Sequence, residues 1–285
     1  MRTLYALTLC VAAWPSAAPA EELTADEIMA RVAANQDRAV KHRKNYVFEQ
    51  RARVRITKGA SKLKREETRR YRITPTETGV EREVLDIDVI HRKDGENLEL
   101  AGMGALDAEQ IEGIDADLAE EFHEDLAGEN DSRDGLNPEL FPLTADKQRG
   151  FVFRLNGLQG YRGRRVYSVS FEPRDDTDTY DAHWAGEVLI DEKEFQPVLV
   201  TSHLAQKIPL WVRTVFGVNI RQVGFKLSYE QFEDGVWFPV SYGGEFRIKA
   251  LHLFRRRAAV SLVNEEFRRT DVESTVDFLA DDSSR

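Results

Sequence analysis

Three groups of residues in this chain have types and spacing that chemistry could use. Asp86, Asp88 and His91 offer two carboxylates and an imidazole, the donors of a metal site. They lie in an alternating stretch, however, where parity turns His91 away from both aspartates. Asp175, Asp176, Asp178 and Asp181 make an oxygen-rich loop of the kind calcium favours. That loop lacks the glycine and the closing glutamate of an EF-hand. His123-Glu124-Asp125 sets an imidazole beside two carboxylates, on the expected wet face of an acidic helix. The chain carries no HExxH, GxSxG, glycine-rich phosphate loop or CxxC, and its six His are scattered. The expectation is a protein with no catalytic residue, no metal and no cofactor.

The elements that position these residues are legible from hydrophobic period. Thr24-Ala25-Asp26-Glu27 has capping-box form, and Ile28, Met29, Val32, Ala33 and Val40 follow at helical spacing, which predicts a helix over Ala25 to Lys41. The period then changes to two. Tyr46, Phe48, Ala52, Val54 and Ile56 alternate with Glu49, Arg51, Arg53 and Arg55, giving a strand with one dry and one wet face. A very charged strand over Lys62 to Thr74 and a third through Leu85, Ile87 and Val89 follow. In the second half Arg165, Tyr167, Val169 and Phe171 share a face, as do Val223, Phe225, Leu227 and Tyr229. After the turn Glu233-Asp234-Gly235, the residues Val236, Phe238, Val240, Tyr242, Phe246 and Ile248 alternate with Trp237, Ser241, Glu245, Arg247 and Lys249. Strands of this kind predict an antiparallel sheet wetted on one side. Between the halves, Ile111, Ile114, Leu118 and Phe122 mark the apolar stripe of a short acidic helix.

The ends and the charge balance bound the setting. MRTLYALTLCVAAWPSAAPA has the positive start, apolar run and small-residue stop of a secretory leader cleaved near Ala20. Its loss removes Cys10, the only cysteine, so the exported chain forms no internal disulfide. Removal of Arg2 moves the net charge from -10 to -11. Such a field disfavours nucleic acid, and anionic membranes as partners of the whole chain.

One segment stands apart from this polar background, in which charged residues are 32%. In Lys207 to Asn219, Ile208, Leu210, Trp211, Val212, Val215, Phe216 and Val218 surround Arg213, the single charge after Lys207. It joins two predicted strands, where a connection is normally wet. Three roles account for it: a plug over the sheet's edge, a movable flap over an apolar hollow, or a membrane-touching tip flanked by Lys207, Arg213 and Arg221. The hollow is expected on geometric grounds. A helix is ~10 Å across and strands lie ~4.8 Å apart, so one helix roofs only a few of the predicted strands. The expected lining is Phe48, Phe225, Tyr229, Phe238, Tyr242 and Phe246, with Ile208, Leu210, Trp211, Val215 and Phe216 as the flap.

The piece Trp184-Ala185-Gly186-Glu187-Val188-Leu189-Ile190-Asp191, followed by Phe195-Gln196-Pro197-Val198, resembles the "W-x-G-x-x-x-I-D…P" strand and turn of periplasmic lipoprotein-sorting proteins of the LolA-like superfamily. Gly235-Val236-Trp237-Phe238-Pro239 and the closing Phe267-Arg268-Arg269 fit the same layout. The resemblance implies an α+β fold: a highly curved antiparallel half-barrel whose concave apolar face is covered by helices. It implies one such domain over residues 21–285, with an acidic helical insertion near 105–135. It also implies a periplasmic carrier of acylated lipoprotein or lipid, acting without catalysis, with an inner- or outer-membrane protein as possible delivery partner. The alternative within the fold is an envelope-stress sensor that contacts a membrane protein. The family's lid-fastening arginine finds no counterpart by parity. Arg51, Arg53 and Arg55 fall on the wet face, and only Arg165 shares a face with aromatics.

Overall fold

The computed structural model describes residues 23–76, 79–93, 96–103, 111–127, 141–174, 184–204, 218–232, 235–250 and 254–270. The leader and most of the 207–219 segment, with Ile208, Leu210, Trp211, Val215 and Phe216, lie outside the described residues.

Helix α1 spans Ala25–Arg43 and starts as its sequence demands. The Thr24 Oγ accepts from the Glu27 backbone N–H at 3.2 Å, and the Thr24 backbone N–H donates to Glu27 Oε2 at 2.8 Å. This reciprocal cap satisfies two donors that a helix start otherwise leaves open. Ile28, Met29, Val32, Ala33, Gln36, Ala39 and Arg43 form its buried stripe. Strands β1 (Tyr46–Lys58), β2 (Lys62–Pro75), β3 (Val80–Lys93) and β4 (Glu96–Met103) follow as a meander. Helix α2 (Ile114–Ala127) and the short α3 (Ala145–Gln148) precede β5 (Phe151–Tyr161), β6 (Arg164–Pro173), β7 (Trp184–Asp191), β8 (Pro197–Leu204), β9 (Val218–Gln231), β10 (Trp237–Ala250) and β11 (Phe254–Arg269).

The eleven strands among the described residues belong to one antiparallel sheet, in the order β4-β3-β2-β1-β11-β10-β9-β8-β7-β6-β5. The last strand slots between β1 and β10 and joins the two halves. β4 and β5 are edges that do not pair with each other, so the sheet is not closed. Register aligns the dry positions across neighbours: Ala52 faces Leu262, Val54 faces Val260, and Leu262 faces Tyr242. On this face the main apolar cluster takes in Ile28, Met29 and Val32 of α1, Ala119 and Leu126 of α2, and inward residues from the strands.

Two features depart from simple alternation. Trp237, expected on the wet face, is 2% exposed and belongs to the main cluster. The cause is a bulge between Pro239 and Ser241, where β10 gains a residue against β9. One extra residue exchanges faces for everything beyond it. Asn264 pins the bulge. Its Nδ2 donates to the Pro239 carbonyl at 2.9 Å, and its Oδ1 accepts from Gln50 Nε2 at 3.0 Å. Helix α2 is also rotated from expectation. Ile114 is 65% exposed, while Ala116, Ala119, His123 and Leu126 form the buried stripe. His123 therefore faces the sheet and is 3% exposed, contrary to the wet-face expectation.

Candidate functional site

The covered face holds an aromatic tract and a buried charge network, side by side beneath α2. The tract is centred on Phe225 of β9. Its ring meets Trp184 edge-on at 4.9 Å, stacks on Tyr242 at 5.4 Å and meets Phe246 edge-on at 5.5 Å. Phe246 in turn packs against Phe122 of α2 at 4.8 Å. Backbone glycines make room for these rings. Gly244 lies opposite Phe225 in register, and a Cβ there would stand 2.8 Å from the ring. Gly186 lies opposite Phe171, where a Cβ would meet the ring at 2.7 Å and the Thr201 carbonyl at 1.9 Å. The glycine of the Trp184–Asp191 segment is thus required by close approach. Its Asp191 caps the β7–β8 turn, with Oδ1 accepting from the N–H groups of Lys193 and Glu194 at 3.0 and 2.9 Å.

Of the expected lining, Phe225, Tyr242 and Phe246 come together in this tract. Tyr229 belongs to the same cluster, with the buried Arg43 guanidinium 5.7 Å from its ring. Phe48 and Phe238 sit elsewhere on the sheet. Phe267 stacks with Phe48 at 5.1 Å and packs on Phe238 at 4.5 Å, and Phe238 meets Tyr46 at 4.9 Å. Trp184, at a strand start, and Phe122, on the apolar stripe expected for its helix, complete the tract and were not among the expected lining.

The charge network replaces an apolar floor on β2. Arg65, Glu67 and Arg69 are alternate residues of one strand, so they share a face, and register places them against Ile56, Val54 and Ala52. They are therefore on the covered side, whereas Arg165, the arginine expected there, has a 69% exposed side chain paired with Glu192. Glu67 is 1% exposed and is held from both sides. Arg65 Nε and Nη2 donate to its Oε2 at 2.9 and 2.6 Å, and Arg69 Nε donates to its Oε1 at 2.6 Å. Arg69 also reaches across to Glu120 of α2. His123 Nε2 stands 3.8 Å from Glu67 Oε1, and among the described residues neither ring nitrogen has a hydrogen-bond partner. Burial, then the Arg69 charge, pushes the His123 pKa down to about 3, so the ring is neutral at ordinary pH. Burial pulls the Arg69 pKa down, but the hydrogen bond it donates to Glu120 and the charge of Glu67 raise it overall. A third pair, Arg256 to Asp115, fastens the start of α2, with Nε donating to Oδ1 at 2.6 Å.

Asp86 and Asp88 lie opposite Arg70 and Thr68 on β2, while His91 lies opposite Arg65, so parity does separate them. Among the described residues no three His, Cys, Asp or Glu come together as a metal-binding group. No helix among them is long and apolar enough to cross a membrane.

No protein-family model matches the chain, and no curated protein matches it. Among the solved structures similar to it are the following three. A putative outer membrane lipoprotein-sorting protein domain from Vibrio parahaemolyticus is 11% identical, with 85% of this chain and 94% of that one covered and a TM-score of 0.37. A LolA superfamily protein from Nitrosomonas europaea is 11% identical, covering 88% and 96%, with a TM-score of 0.33. A DUF1329 family protein from Desulfovibrio piger is 12% identical, covering 88% and 95%, with a TM-score of 0.36. At such scores the likeness assigns no residue and no ligand.

Proposed function

We propose that this chain is an exported, periplasmic carrier that binds the acyl chains of lipoprotein or lipid on the covered face of its sheet, without any covalent step. In this reading the sheet curves into a half-barrel over one domain, and the covered face is its concave side. The aromatic tract Trp184, Phe225, Tyr242 and Phe246 is the floor, and α2 is the roof. The residues Ile208, Leu210, Trp211, Val215 and Phe216 serve as a flap, and Phe48, Tyr229 and Phe238 extend the lining.

The observation that carries this reading is the mixed way α2 is fastened. Its apolar hold consists of Ala119 and Leu126, with Leu118 and Phe122 partly buried. At ~1.5–3 kcal/mol for a fully buried large side chain, that hold is worth roughly 5 kcal/mol. Among the described residues, α2 is also held by the ion pairs of Glu120 with Arg69 and Asp115 with Arg256, and its neutral His123 lies against Glu67. Glu120 is half exposed, and ion pairs whose members regain water on separation add little net hold. An acyl chain replacing the helix returns ~0.8 kcal/mol per methylene, so about seven methylenes offset the loss. A lipid chain of ordinary length exceeds that.

The test is lipid extraction and mass spectrometry on protein purified from the envelope fraction, together with thermal unfolding in the presence of a palmitoylated peptide. Co-extracted acyl lipid and a rise in Tm of several degrees are expected, since ligand at 100 times Kd stabilises by about 2.7 kcal/mol. Arg69→Gln, which loosens the roof, should increase lipid uptake. Lipid-free protein that shows no rise in Tm, in both the natural chain and Arg69→Gln, would remove the proposal.

A further inference from the structure

Arg69 is divided between two carboxylates. Its Nε donates inward to Glu67 Oε1 at 2.6 Å. Its Nη1 and Nη2 donate outward to the two oxygens of Glu120, the first at 3.2 Å. The outward pair sets fork against fork, the geometry in which arginine takes a carboxylate or a phosphate. The two partners differ in place. The Glu67 side chain is 1% exposed, whereas that of Glu120 is 46% exposed, at the rim of the covered face. Glu67 is also shared, because Arg65 donates to it through Nε and Nη2. With α2 seated, the guanidiniums of Arg65 and Arg69 thus meet the carboxylates of Glu67 and Glu120. The neutral His123 and His91, whose Nδ1 lies 3.4 Å from Arg65 Nη1, bring no negative charge. Once Glu120 leaves with α2, Glu67 alone serves both arginines, and one positive charge is left over. A largely buried charge that loses its partner is costly.

An acyl chain that displaces α2 leaves this charge bare if it is joined only through ester, amide or thioether, since none of these is anionic. A headgroup phosphate neutralises it and offers its oxygens to the same outward fork. Register places the fork in line with the aromatic tract. Arg69 lies opposite Ala52 on β1, Ala52 opposite Leu262 on β11, and Leu262 opposite Tyr242 on β10. Tyr242 stacks on Phe225, the centre of the tract. Arg69 and Tyr242 are therefore three strand spacings apart, or about 14 Å. The positions between them, Ala52 and Leu262, are apolar and belong to the main cluster. A chain lying on the tract can cross β11 and β1 over an apolar floor and end at Arg69.

We propose that the cargo is an acyl lipid with an anionic, phosphate-type headgroup, which replaces Glu120 on the outward fork of Arg69. This rests on the acyl-carrier reading above and narrows its cargo from lipoprotein or lipid to anionic lipid. The experiment is calorimetric titration of the purified full chain with three probes: dodecyl phosphate, dodecyl glucoside, which has the same tail and no charge, and inorganic phosphate, which has no tail. Dodecyl phosphate should bind about tenfold more tightly than the glucoside, the lower end of what a hydrogen bond to a charged group is worth. Inorganic phosphate should not bind. Arg69→Gln and Glu120→Gln both unfasten α2, so each should bind the glucoside more tightly than the natural chain does. Only Glu120→Gln keeps the guanidinium, so the preference for dodecyl phosphate should persist in it and vanish in Arg69→Gln. Circular dichroism checks the fold of both variants. Equal affinity for the two dodecyl probes in the natural chain would overturn the proposal and leave the acyl-carrier reading in place. So would a preference that survives in Arg69→Gln or disappears in Glu120→Gln. Inorganic phosphate bound as tightly as dodecyl phosphate would also overturn it, as a site for the free anion. Binding of neither dodecyl probe would remove the acyl-carrier reading itself, and the headgroup site with it.

Discussion

His123 is a polar residue in an apolar stripe, and its surroundings make it an acid-sensitive point. It faces Glu67, Arg65 and Arg69 from β2, and Glu120 from its own helix. Its folded pKa is about 3, against 6.5 for an ordinary histidine. Below pH 6.5 the unfolded chain takes up a proton that the native chain refuses, so stability falls as the pH drops toward 3. The slope approaches 1.4 kcal/mol per pH unit, by about the free energy of one pKa unit. His123→Leu removes both the titration and two unsatisfied nitrogens. Urea midpoints measured from pH 7 to pH 4 should fall more steeply in the natural chain than in the variant. Parallel curves would show that His123 is not the sensitive group. A second prediction at this scale concerns Gly244. A Cβ there stands 2.8 Å from a Phe225 ring that Trp184 and Tyr242 hold in place. Gly244→Ala should cost about 1–3 kcal/mol through overpacking. In Phe225→Leu the same change should cost clearly less, a coupling that denaturant titration of the four proteins reads directly.

At the scale of elements, the capping residues and the period-two stretches gave correct positions because they depend on neighbours in sequence. Thr24 and Glu27 start α1 unaided, and Tyr46 to Ile56 alternate as β1 alternates. The departures depend on partners far along the chain. Trp237 turns inward because Asn264, on another strand, holds the Pro239 bulge. His123 turns inward because α2 rotates to set Glu120 over Arg69. β2 reads as a wet strand because its covered residues Arg65, Glu67 and Arg69 neutralise one another, and composition does not distinguish a buried ion pair from a solvated one. The aromatic tract was legible through Phe225, Tyr242 and Phe246, but its charged neighbour was not. The bulge supplies a prediction of its own. Asn264→Ala leaves the Pro239 carbonyl and the Gln50 amide without their partner in a buried place, a loss of about 1–3 kcal/mol per group. If the bulge relaxes as well, Trp237 approaches water and tryptophan emission shifts to the red. Unchanged stability and emission would show that the bulge is held by other means.

For the whole molecule, the position of β11 decides how the sheet holds together. It pairs β1 on one side and β10 on the other, and the Gln50–Asn264 bond closes a loop of 214 residues. Non-local pairing of this length makes folding slow, because the chain loses its freedom before the contacts form. It also makes the two halves depend on one strand, whereas β4 pairs only β3. Deleting Glu96–Met103 opens one new edge and leaves the main cluster intact. Deleting Phe254–Arg269 bares two interior edges and removes Ala258, Val260 and Leu262 from that cluster. Unpaired interior edges are templates for aggregation. Urea unfolding of the first deletion should remain a single cooperative step at a lowered midpoint. The second should give no cooperative transition and should aggregate. A cooperative transition in the protein lacking β11 would mean that one half folds by itself. The covered face would then be built from two separable pieces.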